Sequence, residues 1–364
     1  MMASAATPLN AWLRRDIAVA DASGRCATTG AQRGWGLTVP YAWISPSRLR
    51  LRGLLVAIAA VVLAASATSA QALPYAPALF GRDFPDPTVI RSANAWYAYA
   101  TSTAWEPRNH LFPVLRSTDL RHWSFVSDAF VKIPPWTDGH WWGPGALEVR
   151  GLTYLYYSAQ TSGHGEHCLA LAISRKPQGP FRDRGPIICA SPGSAGYIDP
   201  SPFIDVDGSA YLFFATDFPV HTIDVIPLHR DLFHPAGPPI ELMGVSQPWQ
   251  EGLSARTVEG PSVVTRGGLY YLFYSAGSYS VDYRMGYAVA ASVRGPYSDS
   301  PLNPILQGGA LIAPGGGSVF AGPIGELLAF SAWQGPAGYG RGGRRTLRIA
   351  PLGWNRTAVS VHNG

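Results

Sequence analysis

Five times along the chain a turn rich in Gly, Pro or acid opens onto an aromatic, β-branched strand, and the spacing is nearly constant. The copies begin at Asp86 (DPTVI), Trp142 (WGPGAL), Asp199 (DPSPFI), Glu259 (EGPSVV) and Gly316 (GGSVF), at intervals of 56, 57, 60 and 57 residues. A period of this size marks a propeller, a solenoid or an array. Aromatic runs follow at 96–100, 154–159, 211–215, 271–276 and 327–332, two of them after the hairpin dipeptides Asp207-Gly208 and Gly267-Gly268. Third strands read at 169–174 and 286–292, each leading to a Gly-Pro-aromatic exit. No long stretch of helical period competes. Four short strands in each of five units predict an all-β fold, a five-bladed β-propeller.

A propeller brings the first strand of every blade to one axis, so Asp86, Asp199 and Glu259 would share a pocket. A sandwich would scatter them. Clustered carboxylates repel, which raises at least one pKa. One carboxyl kept protonated near neutral pH can then act as acid while an ionised one acts as base, which is what cleaving a glycosidic bond requires. An isolated Asp-Pro reads as a capped turn; repetition at matched positions points to chemistry instead. Glu259 is the least ambiguous, because Glu is a poor turn former and this one heads an apolar strand. Asp83, Asp205 and Asp207 flank the motifs and read as turn or solvated residues.

The segments DFPDPTVI, STDLRHW, IDPSPFIDVDG and VEGPSVV, in that order, resemble glycoside hydrolase family 43, over about Phe80 to Trp354. The resemblance implies that Asp86 is the general base, Glu259 the general acid and Asp199 a third carboxylate that tunes and orients the acid. It implies inversion at the anomeric carbon of pentose-containing oligo- or polysaccharides, of the α-L-arabinofuranosidase, β-xylosidase or arabinanase type, with no cofactor. The family often places a His in the fifth repeat, near a central calcium or water network. Gly316 stands there, and no bound metal is expected. The rival enzyme reading, a retaining β-fructosidase, carries different signatures around its acids. A propeller that binds sugar without cleaving it is the reading from another class.

Sugar rings stack on aromatic faces. Trp142, beside the second turn, is the first candidate for a wall of the site; Trp105, Trp141, Tyr197, Phe218 and Tyr279 are further candidates in neighbouring loops, and Arg284 could reach the acid or a sugar hydroxyl. His164, Glu166 and His167 in SGHGEHC have metal-ligand chemistry but lack a third convergent ligand and read as a loop.

Arg48, Arg50 and Arg52 precede an uncharged apolar run over 53–65 and then small residues, the layout of a secretory signal peptide cleaved after Ala70 or Ala72. The run is shorter than the roughly 20 residues of a membrane span. Residues 1–72 are therefore expected to be an N-terminal extension plus leader, with Val39 one possible true start, and residues 73–364 the exported propeller, acting as a monomer. Of the 28 basic and 23 acidic residues, seven Arg and two Asp fall before position 73, which leaves 21 of each. The near-neutral remainder gives no reason to expect nucleic acid as a partner. In an oxidising compartment Cys168 and Cys189 are expected to pair as a disulfide.

Overall fold

The structure, a computed structural model, describes residues 77–163, 165–191, 196–217, 221–253 and 256–362. The leader, the early start site, Cys26, His164 and Phe218 lie outside the described residues.

Five four-stranded antiparallel sheets follow one another in chain order. Blade 1 comprises Thr88–Ser92, Ala95–Tyr99, Pro113–Ser117 and Ser124–Asp128, and a small hairpin, Thr103–Trp105 with Arg108–His110, projects from it. Blade 2 comprises Thr137–Val149, Leu152–Thr161, His167–Ser174 and Arg182–Cys189; blade 3, Tyr197–Ile204, Ala210–Thr216, Thr222–Leu228 and Ile240–Gly244. Blade 4 comprises Val258–Arg266, Leu269–Ala276, Arg284–Ala290 and Ser298–Asp299; blade 5, Ile312–Ala321, Glu326–Gln334, Arg344–Asn355 and Ala358–Val361. This is a five-bladed β-propeller, with the aromatic runs as second strands.

The apolar runs are continuous because both faces of every blade are buried. Successive residues of a strand point to opposite faces. Tyr157 therefore packs with Phe112 and Phe130 of blade 1, while Tyr156 joins Leu212 and Phe214 of blade 3. Phe213 and Tyr274 share the next interface, Phe273 and Phe330 the one after. Ala329 and Leu347 of blade 5 meet Val89 and Trp96 of blade 1. Each interface thus holds its own hydrophobic cluster.

The ring closes without a strand exchanged between the first and last sheets. The segment before blade 1 lies instead along blade 5, where the N–H of Leu79 donates to the Leu347 carbonyl at 2.8 Å and that of Phe84 to the Arg345 carbonyl at 2.6 Å. Cys168 and Cys189 form a disulfide between directly opposed positions of the outer strands of blade 2. Among the described residues no helix is long and apolar enough to cross a membrane.

Candidate active site

Asp86, Gly143, Asp199, Gly260 and Gly316 all have left-handed backbone, φ between 51° and 62°. With the residues that follow them they line one axial cavity that is open to solvent. This ring corrects the register of the repeat. The equivalents of Asp86 in blades 2 and 4 are Gly143 and Gly260, so Trp142 and Glu259 stand one residue earlier. Matching turns by their first bulky or acidic residue hid the offset; the backbone conformation, which Asp tolerates better than most non-glycine residues, reveals it.

Glycine between the acids is a steric requirement. A Cβ on Gly143 would sit 2.1 Å from Asp199 Oδ1, and one on Gly316 would sit 2.2 Å from Asp86 Oδ1. Each aspartate lies over the glycine of the preceding blade.

Asp86 is held by a cation. Arg345 donates from Nη1 to Oδ1 at 2.9 Å and from Nη2 to Oδ2 at 3.3 Å, and Thr101 donates its hydroxyl to Oδ2 at 2.7 Å. Thr101 Oγ1 in turn accepts the N–H of Gly143 at 2.9 Å, which fixes the hydroxyl's direction. A carboxylate offers about four lone-pair positions; three are used, which leaves about one for a water facing the cavity. Arg345 is buried, its guanidinium lying 5.0 Å from the Tyr279 ring and 5.9 Å from the Tyr339 ring. Burial disfavours its charge, but Asp86, Tyr339 and Asp83 outweigh that and hold its pKa well above the ordinary arginine value.

Glu259 has a different neighbourhood. Its Oε1 accepts the Tyr283 hydroxyl at 2.5 Å, and no Arg or Lys forms a salt bridge with it among the described residues. Burial pushes its pKa up to about 7; Tyr283 opposes the rise, the charges of Asp86 and Asp217 add to it, and Arg345 opposes it. Asp199 is raised well above the ordinary carboxylate value, first by burial, then by Glu259 and Asp86, against one N–H donated by Gly260 at 3.0 Å. A carboxylate paired with arginine and two carboxyls with raised pKa values therefore gather at the axis; Asp86 and Asp199 line the cavity, and Glu259 directly precedes the lining residue Gly260.

The model of glycosyl hydrolases family 43 matches residues 77–357, the propeller up to its last strand. The chain belongs to this family. It is therefore a glycoside hydrolase. An extracellular endo-α-(1→5)-L-arabinanase of Bacillus subtilis is 27% identical over 281 residues, 72% of this chain and 83% of that protein. An extracellular exo-α-(1→5)-L-arabinofuranosidase of Cellvibrio japonicus is 26% identical over 278 residues, 70% of this chain and 76% of the other. A crystal structure of a thermostable family-43 glycoside hydrolase superposes with a TM-score of 0.70 at 26% identity, covering 80% of this chain and 96% of its own.

The family 43 propeller brings Asp86, Asp199 and Glu259 together, and it redistributes the other candidates. Trp142 adjoins Gly143 and stacks on His140 at 4.4 Å and on His167 at 4.7 Å. Trp105 is a correction: it is buried, its indole N–H donates to the Asp83 carbonyl, and Phe80, His110 and Phe125 occupy its ring. Trp141 is likewise core, its indole N–H on Thr137. Tyr197 packs edge-on against Phe214, and Tyr279 covers Arg345. Arg284 reaches neither the acid nor the cavity lining; its guanidinium is tied to Asp282, two residues away, at 2.8 Å.

Asp83 is a second correction. It is buried, not solvated, and its carboxylate accepts the Thr103 hydroxyl and the Arg345 backbone N–H, each at 2.6 Å. Asp83 and Arg345 are the residues that sequence reasoning missed. Three converging carboxylates call for a cation, but Arg345 stands beside Arg344 and close to Arg341 and Arg348, so nothing in the sequence sets it apart from its neighbours.

Gly316 leaves no room for a side chain from blade 5, and apart from Asp86 and Asp199 the lining is Pro, Gly, Ser and Thr. Among the described residues no three His, Cys, Asp or Glu gather where they could hold a metal.

Proposed function

We propose that this family 43 enzyme hydrolyses α-L-arabinofuranosidic bonds of pentose-containing glycans with inversion, using Asp86 as base and Glu259 as acid. The observation that carries the reading is the contrast between two carboxyls that act on each other at the axis. Asp86 accepts from a buried arginine, whereas Glu259 is bound by a tyrosine and has its pKa raised to about 7. An enzyme that needs one proton donor and one proton acceptor at the same pH obtains both by separating their environments.

In the proposed reaction Asp86 takes a proton from water as the water oxygen bonds to the anomeric carbon. The glycosidic C–O bond breaks on the opposite face, and the Glu259 proton passes to the leaving oxygen. The attacking water needs base and acid to stand roughly 6.5 to 9.5 Å apart. Asp199, wedged between Gly143 and the Gly260 N–H, orients the acid and discourages its ionisation. Trp142 provides an apolar wall for the sugar. The arabinan-cleaving relatives support the sugar class, and their extracellular names agree with a cleaved leader.

The test is ¹H NMR of the first product formed from an aryl α-L-arabinofuranoside by residues 73–364. Inversion delivers the β-anomer before mutarotation. First appearance of the α-anomer would replace this mechanism with a retaining one, and no turnover on arabinofuranosides or β-xylosides would remove the pentose reading. Sequencing the N-terminus of secreted protein tests cleavage after Ala70 or Ala72.

A further inference from the structure

The two donors that hold Asp86 share an anchor. Arg345 reaches Asp86 with its guanidinium and Thr101 with its hydroxyl. Asp83, three residues earlier and only 7% exposed, is bonded to the stretch that carries each of them. Its Oδ1 accepts the backbone N–H of Arg345 at 2.6 Å, and its Oδ2 accepts the hydroxyl of Thr103, two residues after Thr101, also at 2.6 Å. Side chains two positions apart on an extended chain share a side. Thr101 and Thr103 accordingly bond to residues 86 and 83, while Ser102 between them accepts the N–H of Phe112 at 3.0 Å. Main-chain groups fix the same frame: the N–H of Phe84 donates to the Arg345 carbonyl at 2.6 Å, that of Thr101 to the Pro85 carbonyl at 3.0 Å, and the Trp105 indole N–H to the Asp83 carbonyl at 2.7 Å.

In blade 5 the fourth strand pairs with Leu352–Asn355 of the third. At residue 345 the lead-in to blade 1 lies along that third strand instead, and the Asp83 carboxylate accepts the N–H that a strand carbonyl would otherwise take. A carboxylate has a second oxygen, so one side chain bridges blade 5 to the entry of the blade 1 hairpin. We propose that Asp83 is a positioning residue of this active site: by this bridge it sets the main chain of residue 345 and the 101–103 stretch against Asp86, so that guanidinium and hydroxyl meet the carboxylate together. The inference rests on the reading of Asp86 as base. The Arg345 guanidinium stands at the end of a long, flexible side chain, and a misplacement of about 1 Å can cost about 10²-fold in rate. Asp83 acts through Arg345 and Thr101 and touches no reacting atom.

The experiment is a double-mutant cycle of Asp83→Ala and Arg345→Met, read as kcat and KM on an aryl α-L-arabinofuranoside below the Tm of every variant. Asp83→Ala lowers kcat about 10- to 100-fold with KM within about threefold, and in the Arg345→Met background the same substitution costs less than about threefold. A folded Asp83→Ala with the kcat of wild type overturns the proposal, and so does an equal loss in the two backgrounds, which is what a merely structural residue gives. Asp83→Ser, too short to reach both partners, takes its place if Ala does not fold. Asp83→Asn recovers most of the loss, because its amide oxygen still accepts the Arg345 N–H and its amide nitrogen donates to Thr103; an Asn variant as slow as Ala overturns positioning through these two bonds. Asp86→Ala is run beside them. Loss on arabinan and on a dinitrophenyl arabinofuranoside alike marks Asp86 as the base whatever Asp83 does, and a kcat like that of wild type in Asp86→Ala overturns the underlying reading instead.

Discussion

The junction of blades 5 and 1 and the junction of blades 3 and 4 are built on the same backbone device and carry opposite electrostatics. At the first, ring closure lays residues 79–84 along Arg344–Asn355 and thereby delivers Arg345 to Asp86. At the second, Gly260 and Tyr283 supply only neutral donors, and burial acts on Asp199 and Glu259 with no arginine or lysine in a salt bridge to either among the described residues. A left-handed turn places a carboxyl at the axis; the neighbouring strand decides what that carboxyl can do. Five copies of one unit can therefore yield an arginine-paired carboxylate and a carboxyl of raised pKa, the two groups that the proposed mechanism uses as base and acid, without any change of fold.

Removing the two acids should break the comparison most severely. Asp86→Ala and Glu259→Ala each cost about 10² to 10⁴ in kcat on arabinan. On an aryl glycoside whose leaving group needs no proton, Glu259→Ala recovers most of that loss and Asp86→Ala recovers none, as steady-state assays on the two substrates will show.

Taking away the cation comes next. Arg345→Met lowers kcat by about 10²-fold, the scale of one preorganised charge in a catalytic site. It also moves the alkaline limb of kcat/KM upward, because Arg345 opposes the raised pKa of Glu259. A limb that stays in place would mean that the two junctions do not communicate.

Tyr283→Phe tests the other junction. The hydroxyl lowers the Glu259 pKa, so its loss moves the same limb upward, with kcat down by about tenfold, the size of one hydrogen bond to a charged group.

The smallest effect is on stability. The folded pKa of Glu259, about 7, stands above the ordinary glutamate value of about 4.3, so the stabilisation of its protonated form is complete below the unfolded pKa and is lost as pH rises through 7. Gln cannot ionise. Glu259→Gln should therefore raise Tm above pH 7 by about 2 to 4 °C relative to wild type, and not at pH 4, as a calorimetric scan at the two pH values will show.

The fold was legible because the repeat and the aromatic second strands follow from burying both faces of each blade. Asp86, Asp199 and Glu259 were legible because a propeller converges its inner strands. What stayed hidden was the side-chain chemistry that depends on neighbours distant in sequence. Arg345 meets Asp86 across 259 positions and Tyr283 meets Glu259 only through the turn of blade 4. Arg284 drew attention by standing near Glu259 in sequence, yet a closer partner, Asp282, claims it. Trp105 looked like a loop aromatic, but the hairpin folds it onto Phe80 and His110. The one-residue offset of Glu259 was invisible to motif matching, since Glu-Gly-Pro and Asp-Pro-Thr align equally well by acid or by proline, and only φ separates them.

The central claim, that the junction of blades 3 and 4 keeps a proton which the arginine junction does not need, is tested most directly by ¹³C NMR titration of protein labelled at the Glu side-chain carboxyls, with Glu259→Gln for assignment. The account predicts one Glu resonance with a midpoint near 7 that disappears in the variant. If every Glu carboxyl instead titrates near the ordinary value of about 4.3, the claim is contradicted.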